Sequence, residues 1–314
     1  MGETFNIQHP TSNTRPVFIA GSTATGKSAV ALALAEKIGG EIISVDSMQV
    51  YRGLDLGTAK PTADERKKIP HHLIDVCDLS AAFDAAQFVR HAQAAAAEII
   101  SRGRTPIFCG GTGLYFKAYL EGLGEAPATN TVLRAELEAA PLATLLDELR
   151  ARDPECWEKI DRQNPRRVIR AVEVIRLTGK KFSEQRAEWQ SKAQGPKSKV
   201  IFAFTRPAED LHPRINRRVD EMFFHGLVDE TRELLKHGLA ENKFALQAIG
   251  YRQVVEHLRG ERNLAETVEL VKIKTRQFAK RQLTWFRRHG NCEWLELAPG
   301  ANAAAVAEKI SAAS

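Results

Sequence analysis

Residues 21–28 read Gly21-Ser22-Thr23-Ala24-Thr25-Gly26-Lys27-Ser28, a complete G-x-x-x-x-G-K-[ST] phosphate loop. The motif works in one setting, with a buried strand running into the loop and a helix running out of it. Val17-Phe18-Ile19-Ala20 supplies the apolar strand, and Ala29 to Ala35 is strong helix-forming sequence stopped by Gly39-Gly40. Backbone N–H groups of the loop and of the first helical turn then face one concavity that suits a diphosphate. All eight residues are candidate diphosphate ligands. Lys27 adds a point charge, and the Ser28 hydroxyl is the candidate ligand for Mg²⁺. The motif leaves open which phosphate ester it holds.

Strand and helix patterns alternate after the loop. Glu41–Val45 reads as a second strand ending at Asp46, and His72–Val76 as a weaker third. Phe83–Ser101 reads as a helix, and Pro106–Cys109 as a fourth strand entering Gly110-Gly111-Thr112-Gly113. This order predicts a parallel α/β sheet, whose ligands sit beyond the carboxyl ends of the strands. The phosphate loop, Asp46 and Gly110–Gly113 all fall at those ends. From Gly122 to Lys197 there is no strand candidate, and helices are expected over 136–150 and 166–178. Lys199–Phe204 reads as a strand returning to the sheet, followed by mostly helical sequence to Arg288 and an edge strand at Cys292–Leu295. The expected division is a core over 16–121, a helical insertion over 122–198 and a return to the core over 199–314.

Several function classes drop out. No apolar run is long enough for a membrane span, and the polar first fifteen residues read as a disordered lead-in without a secretory signal. Four scattered cysteines, Cys77, Cys109, Cys156 and Cys292, form no C-x-x-C pair, so zinc and disulfide frameworks are not expected and a cytoplasmic place is. A monomer is the expectation. The net charge of +6 is mild, but its distribution is uneven. Lys272, Lys274, Arg276, Lys280, Arg281, Arg287 and Arg288 follow one another with no acidic residue among them, and Arg162, Arg166, Arg167, Arg170 and Arg176 form a second cluster.

Asp46, directly after a strand beside the phosphate loop, is placed to accept a proton or to bind Mg²⁺ through water. Asp-Ser is also ordinary turn chemistry. Thr112 offers a hydroxyl beside the same pocket, or caps the helix that starts near Leu114. Arg214 and Arg218 share a helix face. On residues alone Arg218 reads as a solvated arginine, with a clamp over the phosphates as the alternative. On the helix from Thr267 to Arg288, at about 100° per residue, Arg276, Lys280, Thr284 and Arg287 share a quadrant, opposite a core-facing stripe of Val271, Phe278 and Trp285. A basic stripe without acidic partners favours a polyanion. His71-His72 points to opposite faces of an extended segment and reads as structural.

Together these stretches resemble the bacterial type of tRNA dimethylallyltransferase (tRNA isopentenyltransferase, the IPP transferase family). The resemblance rests on Gly21–Ser28, Ile43–Tyr51 with Gly57–Pro61, and Pro70–Asp75. It continues through Gly110–Tyr115, Asn164–Arg167 with Arg170–Glu173, Arg214–Val219, Ile249–Arg252 and Thr275–Arg287, and no zinc-finger extension follows. It implies a P-loop NTPase-like sheet whose loop holds the diphosphate of dimethylallyl diphosphate. The acceptor would be the adenosine at tRNA position 37, in the anticodon stem-loop, extruded from its stack. By the same resemblance Asp46 takes the proton of the N6 amine, and Thr112 lines the channel. Lys27, Ser28 with Mg²⁺, and Arg218 neutralise the leaving diphosphate. The implied tRNA contacts are Asp46, Ser47, Met48, Gln49 and Thr112; Arg166, Arg167, Val168, Ile169 and Arg170; Gln247, Ala248, Ile249, Gly250, Tyr251 and Arg252. From the basic helix come Lys280, Arg281, Gln282, Leu283, Thr284, Trp285, Phe286 and Arg287, to which the stripe adds Arg276. Ser28 stands where many members carry threonine, and either hydroxyl ligates Mg²⁺. A small-molecule P-loop kinase and a prenyltransferase acting on free adenine nucleotide are the rivals. Neither needs the basic helix.

Overall fold

The strand that feeds the phosphate loop lies inside a six-stranded sheet. The computed structural model describes residues 15–122, 127, 129–185 and 200–313, so almost all of the expected lead-in lies outside the described residues. Two compact units are present, Met1–Ala118 with Ser198–Ser314, and Tyr119–Lys197.

In the first unit the strands are β1 (Val17–Gly21), β2 (Gly40–Val45), β3 (His71–His72), β4 (Thr105–Gly110), β5 (Ile201–Thr205) and β6 (Cys292–Glu296), ordered β3-β2-β4-β1-β5-β6. Every pairing is parallel. Sheets of this kind are covered on both faces, which is why β1 and β2 are buried at every residue; β1 reads as a continuous apolar run, while β2 also buries Glu41 and Ser44. Gly110 pairs with Ala20 on one side and Val45 on the other, so the chain leaves β1, β2 and β4 side by side at one edge. That register gathers the three motif loops.

Helix α1 (Lys27–Ile38) packs its Val30, Ala31, Leu34 and Ala35 into the main core. Helix α2 (Ala63–Lys68), missed in the sequence, is short and held by a Thr62/Glu65 capping box. Helix α3 (Ala85–Ser101) begins two residues later than expected because Asp84 caps it through the Gln87 N–H. The third strand ends at His72, since Leu73 and Asp75 take left-handed backbone angles of φ 62° and 57° that a strand excludes. After β4 comes α4 (Gly113–Glu121).

In the second unit the helix expected over 136–150 is two helices, α5 (Thr131–Ala139) and α6 (Leu142–Arg152), broken at Pro141. They pack with α7 (Pro154–Lys159) and α8 (Pro165–Thr178) around Leu137, Leu145, Leu149, Val168, Val172 and Ile175.

Back in the first unit, α9 (Ala208–Phe224) and α10 (Leu227–Lys236) follow β5. Then come α11 (Tyr251–Leu258), α12 (Leu264–His289) and, after β6, α13 (Ala303–Ala313). The buried face of α12 is Thr267, Val271, Ala279, Gln282 and Phe286. This corrects the expected apolar stripe, because Phe278 is 36% exposed and carries Arg281 over its ring. The seven-residue spacing chose an edge of the buried face. The polar residue at its centre, Gln282, hid the rest.

Trp285 packs on the glycine turn so closely that a Cβ on Gly113 would lie 2.1 Å from its ring. Gly113→Ala is expected to cost about 1–3 kcal/mol of stability through overpacking, read as a lowered denaturation midpoint in urea. Among the described residues no helix is long and apolar enough to cross a membrane.

Candidate active site

The phosphate loop is braced internally and from outside. The Thr25 hydroxyl donates to the Ser22 carbonyl at 2.8 Å, and the Lys27 ammonium donates to the same oxygen at 3.2 Å. Three arginines then hold its outer side. Arg206 Nε donates to the Thr25 carbonyl at 2.7 Å, Arg214 Nε to the Ala24 carbonyl at 3.0 Å, and Arg218 Nη1 to the Thr23 hydroxyl at 3.4 Å. Ala24 needs such support, since its φ is 63°. Arg218 is therefore no stray surface arginine; α9 lays it and Arg214 against the loop. Arg206 escaped the sequence reading. Its only signal was an arginine directly after a strand, and that becomes informative only once β5 is known to lie beside β1.

Positive charge is crowded here without full compensation. Burial pulls the Lys27 ammonium below the ordinary lysine range; Arg218 adds to the fall, while Cys109 and Asp46 oppose it. Burial also lowers Arg218, helped by Arg214. Burial pushes the Cys109 thiol, at the end of β4, up to about 11, against the pull of Lys27. A diphosphate would relieve the crowding that Lys27 and Arg218 share.

Asp46 forms the turn that Asp-Ser chemistry suggests. Its Oδ1 accepts the Met48 N–H at 2.8 Å and the Gln49 N–H at 3.3 Å, forming the turn. Its Oδ2 has no hydrogen-bond partner among the described residues. Thr112 resolves differently, because its hydroxyl does not cap α4. It accepts the Ser47 N–H at 3.1 Å, while the Thr112 N–H donates to the Val45 carbonyl at 3.2 Å. The Asp46 turn and the glycine turn are thus one hydrogen-bonded unit. Gln49 extends it by accepting from the Ser44 hydroxyl at 2.8 Å and donating to the Thr58 carbonyl at 3.1 Å. Glu230 and Tyr251 pin the far side of that loop, through the Leu56 N–H at 3.1 Å and the Gly57 N–H at 3.1 Å respectively.

Among the expected tRNA contacts, Lys280, Arg281, Thr284 and Arg287 are exposed on α12, and no ion pair engages the three basic ones among the described residues. Leu283 and Trp285 are half-buried, and Trp285 stacks on His289. Arg276 is hydrogen-bonded to the neutral Asn216, and Lys272, one turn before the stripe, pairs with Asp220 at 2.8 Å. Gln247 and Arg252 are exposed, the latter paired with Glu256 at 3.1 Å. Ile249 is half-buried, and Gly250 is the turn before α11.

Other expected contacts have buried side chains. Ala248, Tyr251 and Phe286 are core residues of the first unit, and Val168 and Ile169 of the second. These residues came with stretches carried over whole, and a helix turns only one face outward. Arg166 and Arg167 are exposed, while Arg170 pairs with buried Glu173 at 2.7 Å. His72 Nε2 lies 2.7 Å from the buried Glu41 carboxylate, a structural contact as expected.

Among the described residues no three histidine, cysteine or carboxylate side chains cluster as a metal cage. A metal bound by one hydroxyl and by phosphate oxygens remains compatible with the loop, which is the habit of Mg²⁺.

The IPP transferase family model matches residues 49–289. The tRNA dimethylallyltransferase 1 of Trichlorobacter lovleyi is 47% identical over 285 residues, covering 90% of this chain and 93% of that protein. The enzyme of Geobacter metallireducens is 45% identical over 90% of this chain and 93% of its own. A crystal structure of the tRNA isopentenylpyrophosphate transferase of Bacillus halodurans superposes with a TM-score of 0.69 at 39% identity, covering 96% of both chains. A eukaryotic dimethylallyltransferase acting on tRNA gives 0.75 at 29% identity, over 90% of this chain and 74% of that one. Agreement of this extent, in sequence along the chain and in fold, places the chain in the IPP transferase family, that of the tRNA dimethylallyltransferases.

Proposed function

We propose that the chain transfers the dimethylallyl group of dimethylallyl diphosphate to N6 of the adenosine at position 37 of tRNA, beside the anticodon, and releases diphosphate. The observation that carries this reading is one edge of the sheet. There β1 delivers a phosphate loop with Lys27 in it and Arg218 against it, β2 delivers a carboxylate with one oxygen unpartnered among the described residues, and β4 delivers the turn that binds the carboxylate's loop. The amine nitrogen attacks the allylic carbon, the carbon–oxygen bond breaks, and its electron pair leaves on the diphosphate. Asp46 takes the amine proton, and Lys27 and Arg218 meet the charge that develops on the leaving group. The Ser28 hydroxyl, exposed at the start of α1, would hold Mg²⁺ together with diphosphate oxygens, and the ion supplies further charge neutralisation there. All these groups lie on one chain, so a monomer in the cytoplasm, where tRNA is, suffices.

The relatives carry the tRNA activity in their names, which favours this reading over a kinase or an enzyme of free nucleotide. Incubation with unmodified tRNA, AMP and labelled dimethylallyl diphosphate tests it: label on tRNA is expected, and label on AMP alone would overturn the reading.

Exposed Lys280, Arg281 and Arg287 give the tRNA side its own test. Changing all three to Ala should weaken tRNA binding and lower the log–log salt slope by roughly 0.7–0.9 for each lost phosphate contact. Dimethylallyl diphosphate affinity should stay at the wild-type value. A triple variant with an unchanged salt slope would make this face a solvated one.

A further inference from the structure

We infer that Gln282 is a positioning residue that fixes the diphosphate loop against the turn carrying Thr112; the inference rests on the transfer reaction proposed above. Gln282 lies on α12, whose outer face carries Lys280, Arg281 and Arg287, yet it is itself only 7% exposed. Its Oε1 accepts the Thr23 N–H at 2.9 Å, and its Nε2 donates to the Gly111 carbonyl at 3.0 Å. One amide therefore holds two loops that enclose the reaction from different strands. A side-chain amide suits this task because it offers an acceptor and a donor on one rigid group. The approach is close, since a Cβ on Gly111 would lie 2.1 Å from Gln282 Nε2.

One turn later on α12, Trp285 presses on Gly113, so Thr112 is gripped from both sides. From Thr112 the network passes through the Ser47 N–H to the Asp46 turn. The donor side hangs on Thr23 and the acceptor side on Gly111. The separation between the allylic carbon and the attacking amine is then set partly by this amide. A displacement of about 1 Å at such a place costs on the order of 10²-fold in rate.

The test uses the full chain with unmodified tRNA and dimethylallyl diphosphate. Gln282→Met keeps the length and loses both hydrogen bonds, whereas Gln282→Glu keeps the acceptor for Thr23 and loses the donor to Gly111. Single-turnover rates at saturating substrates should fall by about 10- to 100-fold in both variants, while the separate Kd for each substrate stays within about threefold of wild type. A wild-type rate in Gln282→Glu would show that only the phosphate-loop contact matters and would overturn the bridge. A loss of tRNA affinity matching the loss of rate would overturn it too, making Gln282 a direct tRNA contact. If Gln282→Met does not fold, Gln282→Glu, which leaves the Thr23 N–H bonded, decides alone. Absence of transfer in the wild-type chain would instead remove the underlying reaction.

Discussion

Asp46→Asn is expected to slow prenyl transfer by about 10²- to 10⁴-fold, the span that loss of a general base typically produces. Asparagine is the informative change because its carbonyl oxygen still accepts the Met48 and Gln49 N–H groups that Asp46 Oδ1 now receives. The turn survives and the proton acceptor does not. Alanine would remove both, mixing a chemical defect with a loosened loop. Tight tRNA binding with a collapsed single-turnover rate is the expected result. An Asp46→Asn variant within tenfold of wild type would return Asp46 to turn chemistry alone.

Lys27→Ala is expected to weaken transition-state stabilisation by about 2–4 kcal/mol, the scale for one charged contact to a developing anion in a water-excluded site. The same lysine predicts a pH effect whose sign follows from its burial. Its ammonium is held below the ordinary value of 10.5, and a bound diphosphate stabilises the charged form. Donor affinity is therefore complete below the lowered value and falls as pH rises through it, before an ordinary lysine would titrate. Calorimetry of dimethylallyl diphosphate binding over a series of rising pH should show this decline with proton uptake. In Lys27→Ala this decline should vanish. If the variant retained it, the decline would belong to another group.

Much of the site was legible because its elements are local. A glycine loop between a strand and a helix, and an aspartate ending the next strand, announce themselves within a few residues. What stayed hidden depends on contacts between distant stretches. Arg218 read as solvated because nothing near it in sequence says that α9 lies against Thr23. Arg206 was passed over for the same reason. On α12 periodicity found a helix with a basic face and misplaced its buried face, because a buried glutamine and a small alanine occupy the centre that large apolar residues usually mark. Proline explains the split of α5 from α6, and its presence in the sequence was a signal that the long helix pattern overrode.

The sheet order has a consequence for how the protein is made. Phe18 of β1 pairs on one side with Phe108 and on the other with Ile201, and Thr23 waits for Gln282. During synthesis the emerging chain carries an apolar strand with one open edge until β5 has left the ribosome, and the phosphate loop lacks its last brace until α12 follows. A chain stalled before that point presents an unpaired parallel edge, the kind of surface that recruits chaperones or aggregates. Truncations that spare every phosphate-loop residue but end before α12 should therefore fail as soluble proteins before they fail as enzymes.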